Sequence, residues 1–563
     1  MRKFVSLLAV LAIFCIPAYS QVPTITGRII DEKGSPVPFA TVTIKGTKTG
    51  TTSDINGVFN IKANTGDVLE ITAVGQKPAV VTVGSESSLN VTLEASLESS
   101  LKEVVVTSAY NTKRTARSTS FNAQNITEEQ LNTIRQTDLN NAMAGKVAGL
   151  QVRSQSKVKL GDEGYSTVRL RGESNITASS SVLYVVDGTV VPSSGDINPD
   201  DIEDITVLQG PAASSIFGPQ GANGAIVINT KKARKGDRGI GVEANLGATF
   251  DKIYILPDYQ NSYAGGGISD LIRFDWKPGM PEEWQALDGK YYHDYSDDAS
   301  WGPRMIGQEY IPWYAWYPGT PYSYKTTALV PQPNNARDFY NTGVTLNNNV
   351  SFSKAGDNYN FRFSYTNFDI QGLLPNTSQK RNNITLNATV DLNKKLSLIT
   401  NINYMNQVTR GEFNDGYANQ SSGAFNQWFH RNLDVKLLKQ FRNLKTPEGI
   451  LASWNHKNPE SYSASNPLQF YGGNYWYNLY SFFDNINNTN NRDRLFGFIA
   501  LQYKITNDLT VRATYRKQQL ITFYENKVYT ILETSATQTG VKAGYATGET
   551  YSNRENFEGL LTY

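Results

Sequence analysis

Residues 384–408 read ITLNATVDLNKKLSLITNINYMNQV. Ile384, Leu386, Ala388, Val390 and Leu392 alternate with Thr, Asn, Thr and Asp, the period of a strand with one apolar and one polar face. Asn393 to Lys395 is turn chemistry. Leu396, Leu398, Ile402, Tyr404 and Val408 continue beyond it, more loosely. The stretch predicts two antiparallel strands of about 9–11 residues each, the length of a tilted strand crossing a bilayer.

The same texture runs outward from residue 239 to residue 563. Ile240, Val242, Ala244, Leu246, Ala248 and Phe250 form one set; Val344, Leu346, Val350 and Phe352 form another, interrupted by Asn348. Tyr359, Phe361, Phe363 and Tyr365 precede the opening hairpin. Asp493 to Lys504 reads as a strand whose apolar face is ambiguous. Leu509, Val511, Ala513 and Tyr515, then Phe557, Gly559, Leu561 and Tyr563, complete eight candidate strands. Their connections alternate in length. Residues 251–342 and 409–492 are very long, 369–380 is longer than a tight turn, and 354–358, 393–395 and 507–508 are short. A membrane β-barrel has long outer loops and short inner turns, whereas a soluble propeller has no reason to segregate loop length by side.

Composition agrees. The 563 residues carry a net charge of +2, so no basic field argues for nucleic acid. A mean hydropathy of −0.41 excludes a polytopic helical membrane protein but not a barrel, whose alternating strands average to a polar score. Imidazole and thiolate chemistry is scarce, with 3 His and 1 Cys.

The N-terminal half is built differently. Residues 1–20 form an export signal: Arg2 and Lys3, an apolar run from Phe4 to Ile16, and Ala18-Tyr19-Ser20 as the cleavage pattern. Cys15 follows Phe14 rather than a small residue, which argues against a lipoprotein. Residues 22–95 are short alternating segments broken by Gly, Pro and Asn turns, a small β-sandwich. Residues 96–120 are a polar linker with one apolar island, Lys102 to Thr107. The island suits strand addition to another protein's sheet edge, or forms an ordinary strand of the next domain. Residues 121–236 are α+β in pattern. Thr127 opens one helix, Asp138 to Ala148 forms a second, and the strands VRLRG, VLYVVDG, ITVLQG and GAIVINT follow.

All eight tryptophans fall in the two longest loops. Loop packing is one explanation. The other is a contact platform for substrate or partner at Trp301, Trp313, Trp316, Trp428, Trp454 and Trp476. Asp294, Asp297 and Asp298 read as a solvated acidic loop rather than a metal site, and Gly265 to Ile268 as a loop hinge. No phosphate-loop or HExxH motif is present, and the three histidines form no catalytic constellation, so neither enzyme activity nor a cofactor is expected.

Several segments together resemble the SusC/RagA family of TonB-dependent outer-membrane transporters. LKEVVVTSAY resembles the TonB-box region, with Glu103, Val104, Val105, Val106 and Thr107 as the box. Residues 27–61 resemble the carboxypeptidase regulatory-like domain. MAGKVAGLQV (143–152), 168–191 and 197–236 resemble the plug, its signature carried by Arg171, Gly172, Tyr184, Val186, Asp187, Gly188, Gly210, Pro211, Gly218, Gly221, Asn223 and Gly224. SWGPRMIGQ (300–308) and FNQWFHRNLD (425–434) resemble barrel-loop motifs. Gln209-Gly-Pro departs from the Lys-Asp pair of many such plugs. The resemblance implies a mainly β protein: a sandwich, an α+β plug, and a transmembrane barrel of 22 strands, of which about eight lie here. It also implies TonB (with ExbB and ExbD) and a SusD-like lipoprotein as partners, outer-membrane lipid around the strands, periplasmic N-terminal domains, and a glycan or peptide substrate. Eight strands enclose only their own side chains, so a plug of this size requires more of them. The chain is therefore expected to be an N-terminal fragment. A surface adhesion protein without transport is the rival reading, and a surface glycosidase, which needs paired carboxylates in one cleft, is a remoter one.

Overall fold

The computed structural model describes residues 22–32, 34–47, 49–73, 76–86, 88–94, 105–107, 113–115, 123–133, 135–154, 160, 166–172, 182–233, 239–411, 425, 428–538 and 541–563. The proposed export signal lies outside them. The chain divides into two compact units, one holding the residues up to Val105 and the other almost all the rest.

The first unit is a two-sheet sandwich. Thr24–Asp31 lies between Val58–Lys62 and Ser88–Leu93, antiparallel to the former and parallel to the latter. Gly50–Thr52, Thr41–Ile44, Val68–Thr72 and Ala79–Thr82 form the second sheet in that order. Alternation decides the core: Ile25, Ile29, Phe59, Ile61, Leu69, Ile71, Val91 and Leu93 point inward. Gly27 completes the inward row because a Cβ there would stand 2.3 Å from the Phe59 ring.

The second unit combines the plug with a large sheet. That sheet has eight antiparallel strands in chain order: β1 (Gly241–Asp251), β2 (Gly343–Ala355), β3 (Tyr359–Gln371), β4 (Ser378–Asp391), β5 (Leu396–Arg410), β6 (Ile486–Lys504), β7 (Thr510–Val528) and β8 (Gly544–Thr562). All eight expected strands are present, but several are much longer than the alternation suggested. The last three have 19 residues each, about 65 Å at strand rise. That exceeds what a tilted strand needs to cross the apolar band, roughly 25 Å tall. The alternation tracked only the portion with one apolar face; beyond it polar residues occur on both faces, with a few aromatics among them, and the period of two is lost.

The two faces of the sheet are inverted relative to a water-soluble protein. Leu246, Phe250, Phe352, Ile384, Ile402, Ile499, Leu501, Phe557 and Leu561 are exposed on the outside. Asn349, Ser364, Thr366, Asn387 and Asn401 are buried on the inside, with the arginines described below. Across β2 to β6 the outer apolar band ends at one register row, Asn348, Asn367, Asn382, Asn406 and Asp493. Tyr365 and Tyr404 lie just below it and donate their hydroxyls to Asn382 (2.8 Å) and Asp493 (2.7 Å). Tyrosines with an apolar body and a wet tip suit such a boundary. The ambiguous face of β6 is resolved too. Arg492, Arg494, Phe496, Phe498 and Ala500 point inward, and Leu495, Ile499, Leu501 and Tyr503 lie on the opposite face. Phenylalanines on the inner face had obscured the pattern.

The plug lies against the inner face. Its sheet has the order Ala123–Thr127, Ile202–Leu208, Ala225–Thr230, Leu183–Val186, Thr189–Val191. The VRLRG strand is not part of it; Ser166–Leu170 pairs instead with Leu150–Ser154. Thr127 caps the first helix in a capping box with Gln130. The second helix is shorter than expected, Leu139–Met143. A third, Gly210–Phe217, begins with Pro211 in its first turn.

Candidate functional site: a plug latched to the lumen wall

Among the described residues the plug's apolar core is almost wholly its own, and Phe496 is the one buried residue of the wall that joins it. Its contact with the wall is polar. Two short 3₁₀ turns deliver the key groups: Ser194–Asp196, capped by Ser193, and Pro199–Asp201, capped by Asn198. Asp196 pairs with Arg492 at 2.9 Å and Arg494 at 3.4 Å. Asp201 pairs with Arg362 at 2.8 Å and accepts from Thr385 at 2.9 Å and Asn198 at 2.8 Å. Asn198 also donates to Thr366, 2.8 Å away. Arg135 holds Asp200 with two nitrogens and reaches Asn347 on β2. Arg381 donates to the carbonyls of Gly195 and Thr137, both at 3.2 Å. Asp196, Asp201, Arg362, Arg492 and Arg494 are all buried. Desolvating such charges is tolerable only because they meet one another, and removing one partner strands the other.

The signature residues build the scaffold that carries this latch. Asp187 and Gly188 both have positive φ, 45° and 81°, and join Leu183–Val186 to Thr189–Val191 as a two-residue hairpin turn. The Asp187 carboxylate accepts from the Thr230 hydroxyl, and its carbonyl accepts from Arg516 at 3.3 Å. Tyr184 donates to Asn140 at 2.6 Å, Asn140 to Ser166 at 3.0 Å, and Ser166 to the helix cap Asp138 at 3.0 Å. Burial pushes the Tyr184 phenol up, so it stays a neutral donor. Val186 is a core residue. Arg171 and Gly172 turn the chain after Ser166–Leu170, both at positive φ. Gly210 and Gly221 permit close approach: a Cβ would lie 2.6 Å from the Ala222 carbonyl and 2.5 Å from the Ala213 carbonyl, respectively. Gly218 ends the helix that Pro211 begins, and Asn223 and Gly224 lead into Ala225–Thr230.

In the expected TonB box, Val105–Thr107 pairs as a short strand with Lys113–Thr115. Glu103 and Val104 lie outside the described residues.

The long loops have their own core. Trp316 and Trp284 meet edge-on with centroids 4.7 Å apart, Trp454 packs on His430 at 4.8 Å, and Trp313 packs on Phe441 at 6.1 Å. Trp476 donates to Asp298 at 2.6 Å. Trp313, Trp316, Trp454 and Trp476 are interior residues of this loop core, as the loop-packing explanation has it. Trp428 is partly buried against the same core, and Trp301 is 77% exposed.

His430, Arg431 and Asn432 of the second loop clasp the first. His430 shares a hydrogen with the Asp297 carbonyl at 2.7 Å, and Asn432 accepts from Gly265 N at 2.9 Å. Arg431 donates to the Gln260 carbonyl, Asn261, Asn335 and the Pro333 carbonyl. Gly265 is a packing residue rather than a hinge, since a Cβ there would stand 1.9 Å from the His430 ring. The acidic loop is not solvated either: Asp294 is buried and accepts from Ser296 and Asn458. Burial lowers the imidazoles of His293 and His456 to about 4 and of His430 to about 3.

The arginines of the wall did not stand out in the sequence, and the clasp lay within FNQWFHRNLD (425–434), noted there only as resembling a barrel-loop motif. Parity could have found the former: Arg362 sits between Phe361 and Phe363, on the face opposite the apolar one.

Comparison with known proteins places these features in a family. Residues 25–106 match the CarboxypepD_reg-like domain and residues 115–225 the TonB-dependent Receptor Plug Domain. The chain is 34% identical to the TonB-dependent receptor SusC of Bacteroides thetaiotaomicron over 230 residues, 39% of this chain and 22% of that protein. A TonB-dependent receptor of Formosa agariphila is 27% identical over 386 residues, 68% of this chain and 33% of its own length. The RagAB peptide importer in its 'open-open' state shares the fold, with a TM-score of 0.52 at 21% identity, covering 75% of this chain and 43% of that one. The chain thus spans a third or less of the curated relatives it matches. Its CarboxypepD_reg-like domain is followed by its plug and its antiparallel sheet, and these matches together support a SusC/RagA-type TonB-dependent transporter.

Proposed function

We propose that this chain carries the energised gate of an outer-membrane importer of oligosaccharides or peptides, working with a SusD-like surface lipoprotein. The sandwich and linker would face the periplasm. The observation that carries the proposal is the polar latch between plug and lumen wall. An apolar seam would have to expose greasy surface when parted, whereas carboxylates and guanidiniums can be taken over by water as they separate. The latch therefore holds at rest and yields to a directed pull. Residues 103–107 are the handle. The ladder made by Val105–Thr107 is too short to be stable alone in water, so exchanging it for an edge strand of TonB costs little. Several backbone hydrogen bonds would then be loaded together.

Deleting Glu103 to Thr107 tests the proposal. Uptake falls to background while substrate binding at the cell surface persists. Unchanged uptake would remove the engine and favour the rival reading, a surface binding protein without transport.

A further inference from the structure

We propose that displacement of the plug exposes a basic stripe on the lumen wall, so that the open path favours anionic cargo, an oligomer bearing carboxylate groups, over neutral or cationic cargo of similar size. The proposal rests on the importer reading and names its substrate class. The inward positions of the wall are strongly biased in charge. The arginines of β3, β4 and β6 are joined by Arg512 and Arg516 on β7 and Arg554 on β8, while away from the strand ends the inward carboxylates among the described residues are Glu243 and Glu558. In the closed state the plug supplies the missing negative charge, Asp196 against Arg492 and Arg494 and Asp201 against Arg362. Those carboxylates leave with the plug and the guanidiniums stay.

Anchoring alone does not account for the basic wall. Arg516 touches the plug through neutral atoms, the Asp187 carbonyl at 3.3 Å and the Thr189 hydroxyl at 3.2 Å, and its ion pair, at 3.5 Å, is with Glu558 of the wall. Beside it the plug already stands off from the wall. A cavity of about 150 Å³ separates Gly188 to Val190 and Phe217 from Arg516, Gln518, Arg554 and Glu558. The gap thus opens on the basic side. Arginine keeps its charge at any working pH and grips carboxylates with two nitrogens. A narrow passage with walls of one sign concentrates ions of the other.

The test is ion selectivity of the whole protein in a planar bilayer under a KCl gradient. The plug is loosened by Asp196→Asn with Asp201→Asn, or reversibly by mild urea. The expected reversal potential is that of a chloride-selective path. Adding Arg512→Gln and Arg554→Gln moves it toward zero, while the lysine versions at both positions keep it. A conducting path that is unselective, or selects potassium, overturns the inference and leaves the importer reading standing. No conductance under either release condition defeats both. In cells, oligogalacturonate and oligoglutamate, each against its neutral counterpart, distinguish an acidic glycan from an acidic peptide as the source of the charge. Uptake of both neutral forms as fast as the acidic ones counts against the inference.

Discussion

Asp201 is one of the carboxylates, with Asp196 and Asp200, through which the plug is held. Asp201 receives hydrogen bonds from Arg362, Thr385 and Asn198 at once, and both members of its ion pair are buried. Asp201→Asn leaves the Arg362 guanidinium without its counter-charge, a change worth about 3–5 kcal/mol in comparable buried pairs. The expected outcome is faster hydrogen exchange across 182–230 with the strands β1–β8 unaffected. Equal protection in wild type and variant would show that Asp201 carries little of the latch. At Gly265 the constraint is volume. Gly265→Ala drives a methyl into the His430 ring, and overpacking of this kind costs about 1–3 kcal/mol or more. Protease nicking of both long loops should accelerate together. If only the first loop becomes sensitive, the clasp does not couple them.

At the scale of elements, the long loops behave as a small aromatic domain tied across the strands. Its three buried histidines predict a loss of stability in acid. His293, His430 and His456 all titrate below the ordinary imidazole value because burial disfavours the cation. A group whose folded pKa is lowered binds its proton in the unfolded state first, so stability is lost as pH falls. The loss begins near the unfolded value of about 6.5 and grows to about 3 kcal/mol for each of His293 and His456 by pH 4. Intrinsic tryptophan fluorescence of the loops should therefore shift between pH 6.5 and 4 while the signal of the strands holds. Replacing His293 by Asn should weaken that dependence, and a loop signal flat over the interval would contradict it.

For the whole molecule, the inverted sheet is the governing feature. Apolar residues face outward and amides and arginines face inward, so the protein is coherent only with lipid on one side and the plug on the other. Ile384 and Thr385 are chain neighbours on opposite faces. Ile384→Arg puts a charge into the apolar band, at a cost of about 2–4 kcal/mol near mid-depth. Thr385→Ser leaves the lumen face polar. Folding yield into lipid vesicles should fall for the first and hold for the second, and equal yields would mean that residue 384 is not in contact with lipid.

Much of this was legible beforehand because strands that face lipid must alternate. Residues 384–408 displayed the hairpin directly, and all eight strands could be counted where one face is apolar and the other polar. Their upper halves were not legible, since polar residues there occupy both faces and break the alternation. In the plug, Asp187-Gly188 and Pro211 were noted only as part of the family resemblance, although backbone geometry restricts residue choice at both places. What the tertiary structure alone decided is which polar groups meet. Asp201 and Arg362 are 161 residues apart and Asp196 and Arg492 are 296 apart. The tryptophans teach the same lesson: composition marks them as large and amphipathic, but whether a ring is covered depends on chain that arrives from the other loop. Local periodicity is a property of neighbours along the chain and survives in the sequence. Pairing of charges and covering of rings are properties of neighbours in space, and only the fold brings those together.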